Sequence, residues 1–320
     1  MAKKVLITGI SGFVGSHLAE YLLSHKNYTI SGTYLSEKSL VNVKGFKEKL
    51  HITQVDLKNS EVVYRLIKAL KPDLIFHLAA LPAVGSSFDR PVETIVNNVT
   101  AEANVLEAVK NAHLLDCRVL VVSSADVYGK VSKKDLPIDE DTSFHPTNAY
   151  AVSKIAQDFL GLQYAIAYGL KVIRTRPFNH FGPRQSLGFV VADFAYKIAK
   201  IEKEKMTPVL RVGNLDSKRD YTDVRDMVKA YVLLIEKGEV GEVYNIGSGI
   251  SYKTSDLLHI LLSLSTVKIS IEVDAALFRP QDSPDRVCDN RKFVKLTGWK
   301  PTIPIHTTLK ETLDYWRRIL

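Results

Sequence analysis

The apolar run Val5-Leu6-Ile7 breaks at Thr8 and passes into Gly9-Ile10-Ser11-Gly12-Phe13-Val14-Gly15. A strand that turns into a helix through three glycines has few folds open to it. Glycine there permits a tight turn and lets backbone N–H groups approach a pyrophosphate at the helix N-terminus, the opening of a dinucleotide-binding βαβ unit. Gly9, Gly12, Phe13, Val14 and Gly15 are therefore candidate cofactor contacts.

The rest of the chain agrees with that opening. β-branched runs at 3–8, 28–34, 50–55, 73–78 and 118–123 alternate with helical patterns at 14–25, 60–70, 92–112 and 150–168; 170–176 and 242–246 read as further strands. The alternation predicts an α/β fold, a Rossmann-type doubly wound parallel sheet whose strands are near-continuous apolar runs because both faces are covered. Beyond Arg176 the alternation loosens, with helices expected at 188–203, 223–237, 254–265 and 307–318 among scattered prolines and glycines. The expected division is a dinucleotide-binding domain of 1–176 plus about 223–250, and a smaller, discontinuous substrate-binding lobe of about 177–222 and 251–320. Strand 242–246 is expected to return to the main sheet.

Composition narrows the ligand class. No apolar run reaches the roughly 18 residues of a membrane span, and Met1-Ala2-Lys3-Lys4 leads straight into a strand rather than a signal sequence. Cys117 and Cys288 are too few for a disulfide framework and lack zinc-ligand spacing. A cytoplasmic protein without membrane or metal is expected. Lys and Arg exceed Asp and Glu by 43 to 35, but they are scattered, without a run or an aromatic-interleaved stripe. That favours phosphorylated small molecules over nucleic acid.

An acidic residue ending the second strand would select NAD through the ribose 2′-OH. Here Gly32-Thr33-Tyr34-Leu35-Ser36 has no acid before Glu37, and Lys38 follows. Hydroxyls at Thr33 or Ser36 and the lysine tolerate a 2′-phosphate, so NADP(H) is favoured, with NAD(H) still open. Asp56-Leu57 is placed to meet the adenine, Asp56 also reading as a cap for helix 58–70, and Leu78-Ala79-Ala80 offers small residues where backbone passes close to the cofactor.

Tyr150-Ala151-Val152-Ser153-Lys154 puts a phenol and an ammonium one helical turn apart. The same spacing at Tyr34/Lys38, Tyr64/Lys68 and Tyr196/Lys200 makes it weak alone; Pro146-Thr147-Asn148 before it and Ser123-Ser124 at the preceding strand end single it out. The lysine is expected to lower the phenol pKa from about 10 toward neutrality, with Ser124 holding the reacting oxygen. Tyr150, Lys154 and Ser124 are the expected catalytic group, moving a proton on oxygen while a nicotinamide moves hydride on carbon.

Together with Asn98-Val99, these motifs make the chain resemble, over essentially its full length, an extended short-chain dehydrogenase/reductase acting on nucleotide sugars. The segments "RPFNHFGPRQSLGFV" (176–190), "VGNLDSKRDYTDVRD" (212–226) and "RPQDSP" (279–284) resemble the branch handling GDP-linked 6-deoxyhexoses, the GDP-mannose 4,6-dehydratases and GDP-6-deoxy-D-mannose reductases. The resemblance places Asn98 at the cofactor, Asn179 at the phosphate or sugar, 188–190 including Val190 at the base pocket and Asp282 at the ribose. Arg219 and Arg279 are candidates for charge-assisted diphosphate contacts, Ser86 and Ser87 for the hexose; His180 is read as structural. The family often forms dimers through an exposed helix pair, so a homodimer is expected.

The stretch Ser124-Ala125-Asp126 decides among reactions. The dehydratases resembled carry Thr and Glu at the positions of Ser124 and Asp126, and the dTDP-sugar dehydratases an Asp at that of Ala125. Ala125 cannot donate a proton, and Asp126 withdraws its carboxylate by roughly 1–1.5 Å, where a misplacement of about 1 Å can cost on the order of 100-fold. The expectation is therefore NADPH-dependent reduction of GDP-4-dehydro-6-deoxy-D-mannose at C4, yielding GDP-D-rhamnose. The alternatives are a 4,6-dehydratase or a C4 epimerase; a non-catalytic NADP sensor would be expected to lack Tyr150 or Lys154.

Overall fold

The computed structural model describes residues 2–25, 27–82, 84–204, 207–278 and 285–320. Its centre is a seven-stranded parallel sheet: β1 (Lys3–Thr8), β2 (Tyr28–Tyr34), β3 (His51–Gln54), β4 (Leu74–His77), β5 (Arg118–Val122), β6 (Lys171–Pro177) and, much later in the chain, a strand at Val243–Ile246. That late strand, β10, lies beside β6, and the order across the sheet is β10-β6-β5-β4-β1-β2-β3. The order reverses between β1 and β4, which opens a crevice at the strand C-termini. Side chains alternate between two apolar clusters: Val5, Ile7, Phe76 and Leu120 face one side of the sheet, Leu6, Ile75, Val119 and Val121 the other. This is why the strands lack a polar face.

Helices cover both sides. On one lie α1 (Phe13–Leu23) and α7 (Val224–Lys237), through Leu18, Leu22, Met227 and Tyr231. On the other lie α2 (Ser60–Leu70), α4 (Pro91–Asn111) and α5 (Ala149–Tyr168), through Ile67, Val105, Leu106 and Tyr164. The caps are local: Asn148 accepts from Ala151 N to start α5, which ends at left-handed Gly169. Helix α2 is capped by Asn59, which accepts from Val62 N, so the capping role read for Asp56 belongs three residues later. A short α3 (Val84–Asp89) that periodicity missed precedes α4.

A third apolar cluster gathers α6 (Val190–Glu204), α8 (Thr254–Ser263) and α10 (Ile305–Ile319) through Phe194, Ile198, Leu257, Leu261, Leu309 and Leu313. Short strands edge it: β7 (Asn179–Phe181), β9 (Lys218–Asp223) and β11 (Ser251–Lys253) form one sheet, β8 (Val209–Val212) and β12 (Ser270–Val273) another. Residues 291–299 depart from this grouping. Phe293 of α9 (Arg291–Thr297) and Trp299 pack into the α1/α7 side of the large sheet.

Helix α5 is docked by charge as well as by apolar contact. Asp158 is fully buried and pairs with Arg174 and, at 2.6 Å, with Arg176, both of β6. Arg176 also donates to Tyr128 Oη at 3.0 Å and to the Glu140 carbonyl at 2.8 Å. Removing one partner of such a buried network strands the others. Asp158→Ala is expected to destabilise the protein by about 3–5 kcal/mol, measured by urea unfolding; a change near zero would show that α5 docks by apolar packing alone.

Candidate active site

One cleft of about 1080 Å³ runs along the C-terminal ends of the large sheet's strands and reaches β7, β9 and the start of α6. Its floor is the glycine turn. Gly9 has φ +71°, and a Cβ there would lie 3.0 Å from the Ala79 backbone; a Cβ on Gly15 would lie 2.3 Å from the Gly9 carbonyl oxygen. Bare backbone is required for the turn to close against loop 78–80, and the closed turn presents amides at the N-terminus of α1, a cradle that fits a pyrophosphate. Thr8 Oγ1 accepts from Leu78 N at 3.1 Å and Ala79 N at 3.2 Å and contacts His77 Nδ1 at 3.0 Å, locking that loop. Burial lowers the His77 pKa to about 3, with the positive charge of Lys154 adding to the fall, so the ring is neutral.

The expected cofactor residues mostly line this end: Gly9, Gly12, Phe13, Val14 and Gly15, then Thr33, Asp56 and Leu57, then Leu78, Ala79 and Ala80. Thr33 Oγ1 accepts from Gly9 N at 3.4 Å, Ser39 Oγ donates to the Ser36 carbonyl at 2.6 Å and contacts Ser11 Oγ at 2.7 Å, and Ser36 lines the same end of the cleft. Lys38 is exposed and outside the cleft wall; the ammonium at this end is Lys58, 3.6 Å from Asp56. Asn98 also differs from expectation. It sits behind the wall, 0% exposed, accepting from Leu81 N at 2.8 Å and donating to Ser153 Oγ at 3.0 Å, and so shapes the loop rather than facing the cleft.

Ser124, Tyr150 and Lys154 come together at the end of β5. Ser123 Oγ donates to the Lys154 carbonyl at 2.9 Å, and Lys154 Nζ donates to the Val122 carbonyl at 2.8 Å, 5.8 Å from the Tyr150 ring centroid. Of the four Tyr/Lys pairs with this spacing, only Tyr150/Lys154 is buried at both residues.

The expected depression of the phenol pKa is overturned. Burial pushes Tyr150 above its ordinary value, the charge of Asp126 adds to the rise, and the Ser124 hydroxyl opposes it. Lys154 is shifted as well: burial lowers it from 10.5 to about 8, against the pull of Glu102. Glu102, 1% exposed on α4, is pushed well above the carboxylate range by burial, with Lys154 pulling the other way. The site thus holds a protonated phenol, the form that donates a proton.

On the substrate side Asn179, Val190 and Arg219 line the cleft, as do Ser124 and Asp126. Arg219 is 9% exposed and donates to the Lys218 carbonyl at 2.7 Å. Its neighbour Asp220 is occupied elsewhere, accepting from Ser248, Gly249 and Cys288 amides. Arg279 and Asp282 lie outside the described residues, as does the side chain of Ser86 on α3. Ser87 is buried and donates to the Val84 carbonyl at 2.7 Å. His180, read as structural, lines the cleft and stacks on Phe13 with ring centroids 6.1 Å apart. Arg286, unmarked by any motif, also lines the cleft and ion-pairs with Asp126.

Known proteins are similar to this chain in sequence and architecture. A family model described as GDP-mannose 4,6 dehydratase matches residues 6–312. The chain is 36% identical to the GDP-6-deoxy-D-mannose reductase of Pseudomonas aeruginosa over 317 residues, 99% of this chain and 98% of that protein. The structure of the Pseudomonas aeruginosa RMD protein complexed with NADPH superimposes with a TM-score of 0.86 at 33% identity, covering 100% of both chains. UDP-glucose 4-epimerase of Thermus thermophilus, in complex with NAD, gives 0.85 at 26% identity over 99% of this chain and 100% of that one.

If the Lys154 ammonium assists proton transfer, activity falls when it loses its proton. With its pKa lowered to about 8, kcat/KM is expected to decline as pH rises through that value, and Lys154→Met to remove the limb along with most of the activity. A wild-type profile flat to well above pH 9 would remove Lys154 from the proton path.

Proposed function

This chain belongs to the GDP-mannose 4,6-dehydratase family, and we propose that within it the protein is an NADPH-dependent reductase of GDP-4-dehydro-6-deoxy-D-mannose, yielding GDP-D-rhamnose. The observation that carries the reading is the cleft wall after β5, where Ser124 and the buried Tyr150 stand with Ala125, which has no proton to give, and Asp126, which is ion-paired with Arg286. Ketone reduction needs a proton donor at the carbonyl oxygen, and the phenol, protonated at neutral pH, can give its proton as negative charge develops there. The likeness to the Pseudomonas reductase and to its NADPH complex supports the same choice of substrate and cofactor.

In this mechanism Ser124 and Tyr150 hold the C4 ketone oxygen from the β5 end and the start of α5. The glycine turn would hold the pyrophosphate of the dinucleotide, which when bound would supply a hydride to C4. Tyr150 gives its proton to the C4 oxygen as negative charge builds there, and Lys154 offsets the negative charge left on the phenol. Arg219 meets the substrate diphosphate, with Asn179 beside it, while Val190 at the start of α6 lines the base pocket. We read residues 1–176 with about 223–250 as the dinucleotide-binding domain, and about 177–222 with 251–320 as the nucleotide-sugar lobe. The separate apolar cluster of α6, α8 and α10 supports that division, with residues 291–299 as a strap back to the first domain.

We also read the protein as a homodimer. Val152, Phe159 and Ile166 recur every seventh residue along α5 and are 44%, 51% and 76% exposed, and Val92 and Val96 on neighbouring α4 are 72% and 50% exposed. An apolar stripe shared by two helices is the kind of patch a second copy covers. No helix among the described residues is long and apolar enough to cross a membrane.

Given NADPH and the keto-sugar, the purified protein should oxidise the cofactor and give a product two mass units heavier than the substrate. Loss of water from GDP-mannose at a matching or greater rate would overturn the reductase reading. Tyr150→Phe is expected to lower kcat by about 10²–10⁴-fold with NADPH affinity little changed. Phe159→Glu with Ile166→Glu is expected to give a monomer by light scattering; a wild type that is already monomeric would remove the dimer.

A further inference from the structure

The cleft contains a hazard for the substrate proposed above. A ketone at C4 makes the hydrogens on its two neighbouring carbons acidic, and the donors that hold the ketone oxygen, Ser124 and Tyr150, would equally stabilise an enolate oxygen. Asp126 stands two residues from Ser124 in the same cleft wall, near enough for its charge to act on the Tyr150 phenol. A carboxylate free to turn there could take a proton from carbon: the C–H bond breaks, its electron pair becomes the C=C bond of the enolate, the negative charge moves to the C4 oxygen, and the proton goes to Asp126. Returning it on either face would scramble the sugar before reduction.

Asp126 is not free to turn. Its carboxylate is ion-paired with Arg286, the two side chains being 25% and 10% exposed. The arginine comes from the far end of the chain, and its backbone is fixed to β9, Arg286 N donating to the Lys218 carbonyl at 3.2 Å and its own carbonyl accepting from Asp220 N at 2.9 Å. Asp126 in turn is held by its own amide, which donates to Ser124 Oγ at 3.1 Å. Both ends of the pair are anchored. One carboxylate oxygen, Oδ1, is taken up by the guanidinium, and turning the group toward a C–H bond would lose that charge-assisted contact.

We propose that Arg286 is the positioning residue that keeps this cleft from acting on the α-carbons of its own ketone, by holding Asp126 in an ion pair. The inference rests on the reductase reading of the same cleft and adds the specificity between reduction and proton abstraction.

The test is hydrogen exchange on carbon. The protein is loaded with NADP⁺, which cannot reduce the ketone, and given GDP-4-dehydro-6-deoxymannose in D₂O, with deuterium at C3 and C5 followed by mass and NMR. Wild type should exchange no faster than the uncatalysed sugar, and faster exchange by wild type overturns the proposal without any variant. Arg286→Met should exchange at least tenfold faster than wild type, Arg286→Lys should stay near wild type by restoring the pair, and Arg286→Met with Asp126→Asn should lose the gain. Thermal melting and NADPH binding check that each variant folds; Arg286→Gln serves should the methionine variant not. Unchanged exchange in a folded Arg286→Met overturns the proposal. A wild type that fails to reduce the ketone with NADPH, yet shows this exchange pattern, sinks the reductase reading and leaves the ion pair's role standing.

Discussion

The buried Asp158 carboxylate, held between Arg174 and Arg176, is the contact on which the geometry of the site depends. Helix α5 carries Tyr150 and Lys154 near its start and Asp158 one turn beyond Lys154. A slide of the helix along β6 would leave a carboxylate or a guanidinium unpaired where water cannot reach, an outcome far more costly than losing a surface ion pair. The register is pinned again where α5 meets β5, by Ser123 on the Lys154 carbonyl and Lys154 on the Val122 carbonyl. Placement of the proton donor at the sheet edge is therefore a consequence of core electrostatics, not of the cleft that uses it.

The same exclusion of water sets the chemistry. In a solvated setting an ammonium one turn from a phenol would make the phenol more acidic; here both groups are desolvated, so both are driven toward their neutral forms, the phenol upward and the ammonium downward. For the oxidation of an alcohol that would be a handicap, since a phenolate is then the useful form. For the reduction of a ketone the phenol is in the form that donates, and because burial makes it the weaker acid, Lys154 is needed as the proton leaves. Neutral His77 and the protonated tendency of Glu102 extend this low-charge environment behind the lysine.

Local pattern makes much of this legible from sequence. The glycine turn, the seven strands of the main sheet and the Tyr150/Lys154 pair each follow from features within a few residues of each other, and elements of that kind are read well by periodicity and spacing. The features that escape such reading have no local signal. Strands such as Asn179–Phe181 and Ser251–Lys253 are three residues long and exist only because a partner lies alongside. A motif assigns Asn98 to the cofactor, but which way it faces depends on the packing of α4 against α5. The direction of the Tyr150 shift depends on burial, a tertiary quantity. Arg286 pairs with a residue 160 positions away, and no spacing rule reaches that far.

That long-range pair bears on how one scaffold can serve reduction, elimination and epimerisation. All three begin with a sugar oxygen between a hydroxyl residue, a tyrosine and a nicotinamide, so the backbone and most of the cleft need not differ. They diverge in whether a base can reach the carbon next to the reacting one. Shortening the carboxylate by a methylene, as at Asp126, moves it by little more than about 1 Å, enough to weaken a proton abstraction but not to abolish it. Supplying a guanidinium from the far end of the chain does something shortening cannot: it gives the carboxylate a competing partner whose position is set by β9. The choice of reaction then resides in the contact between two distant segments, one just after β5 and one bonded alongside β9, each of which is ordinary by itself.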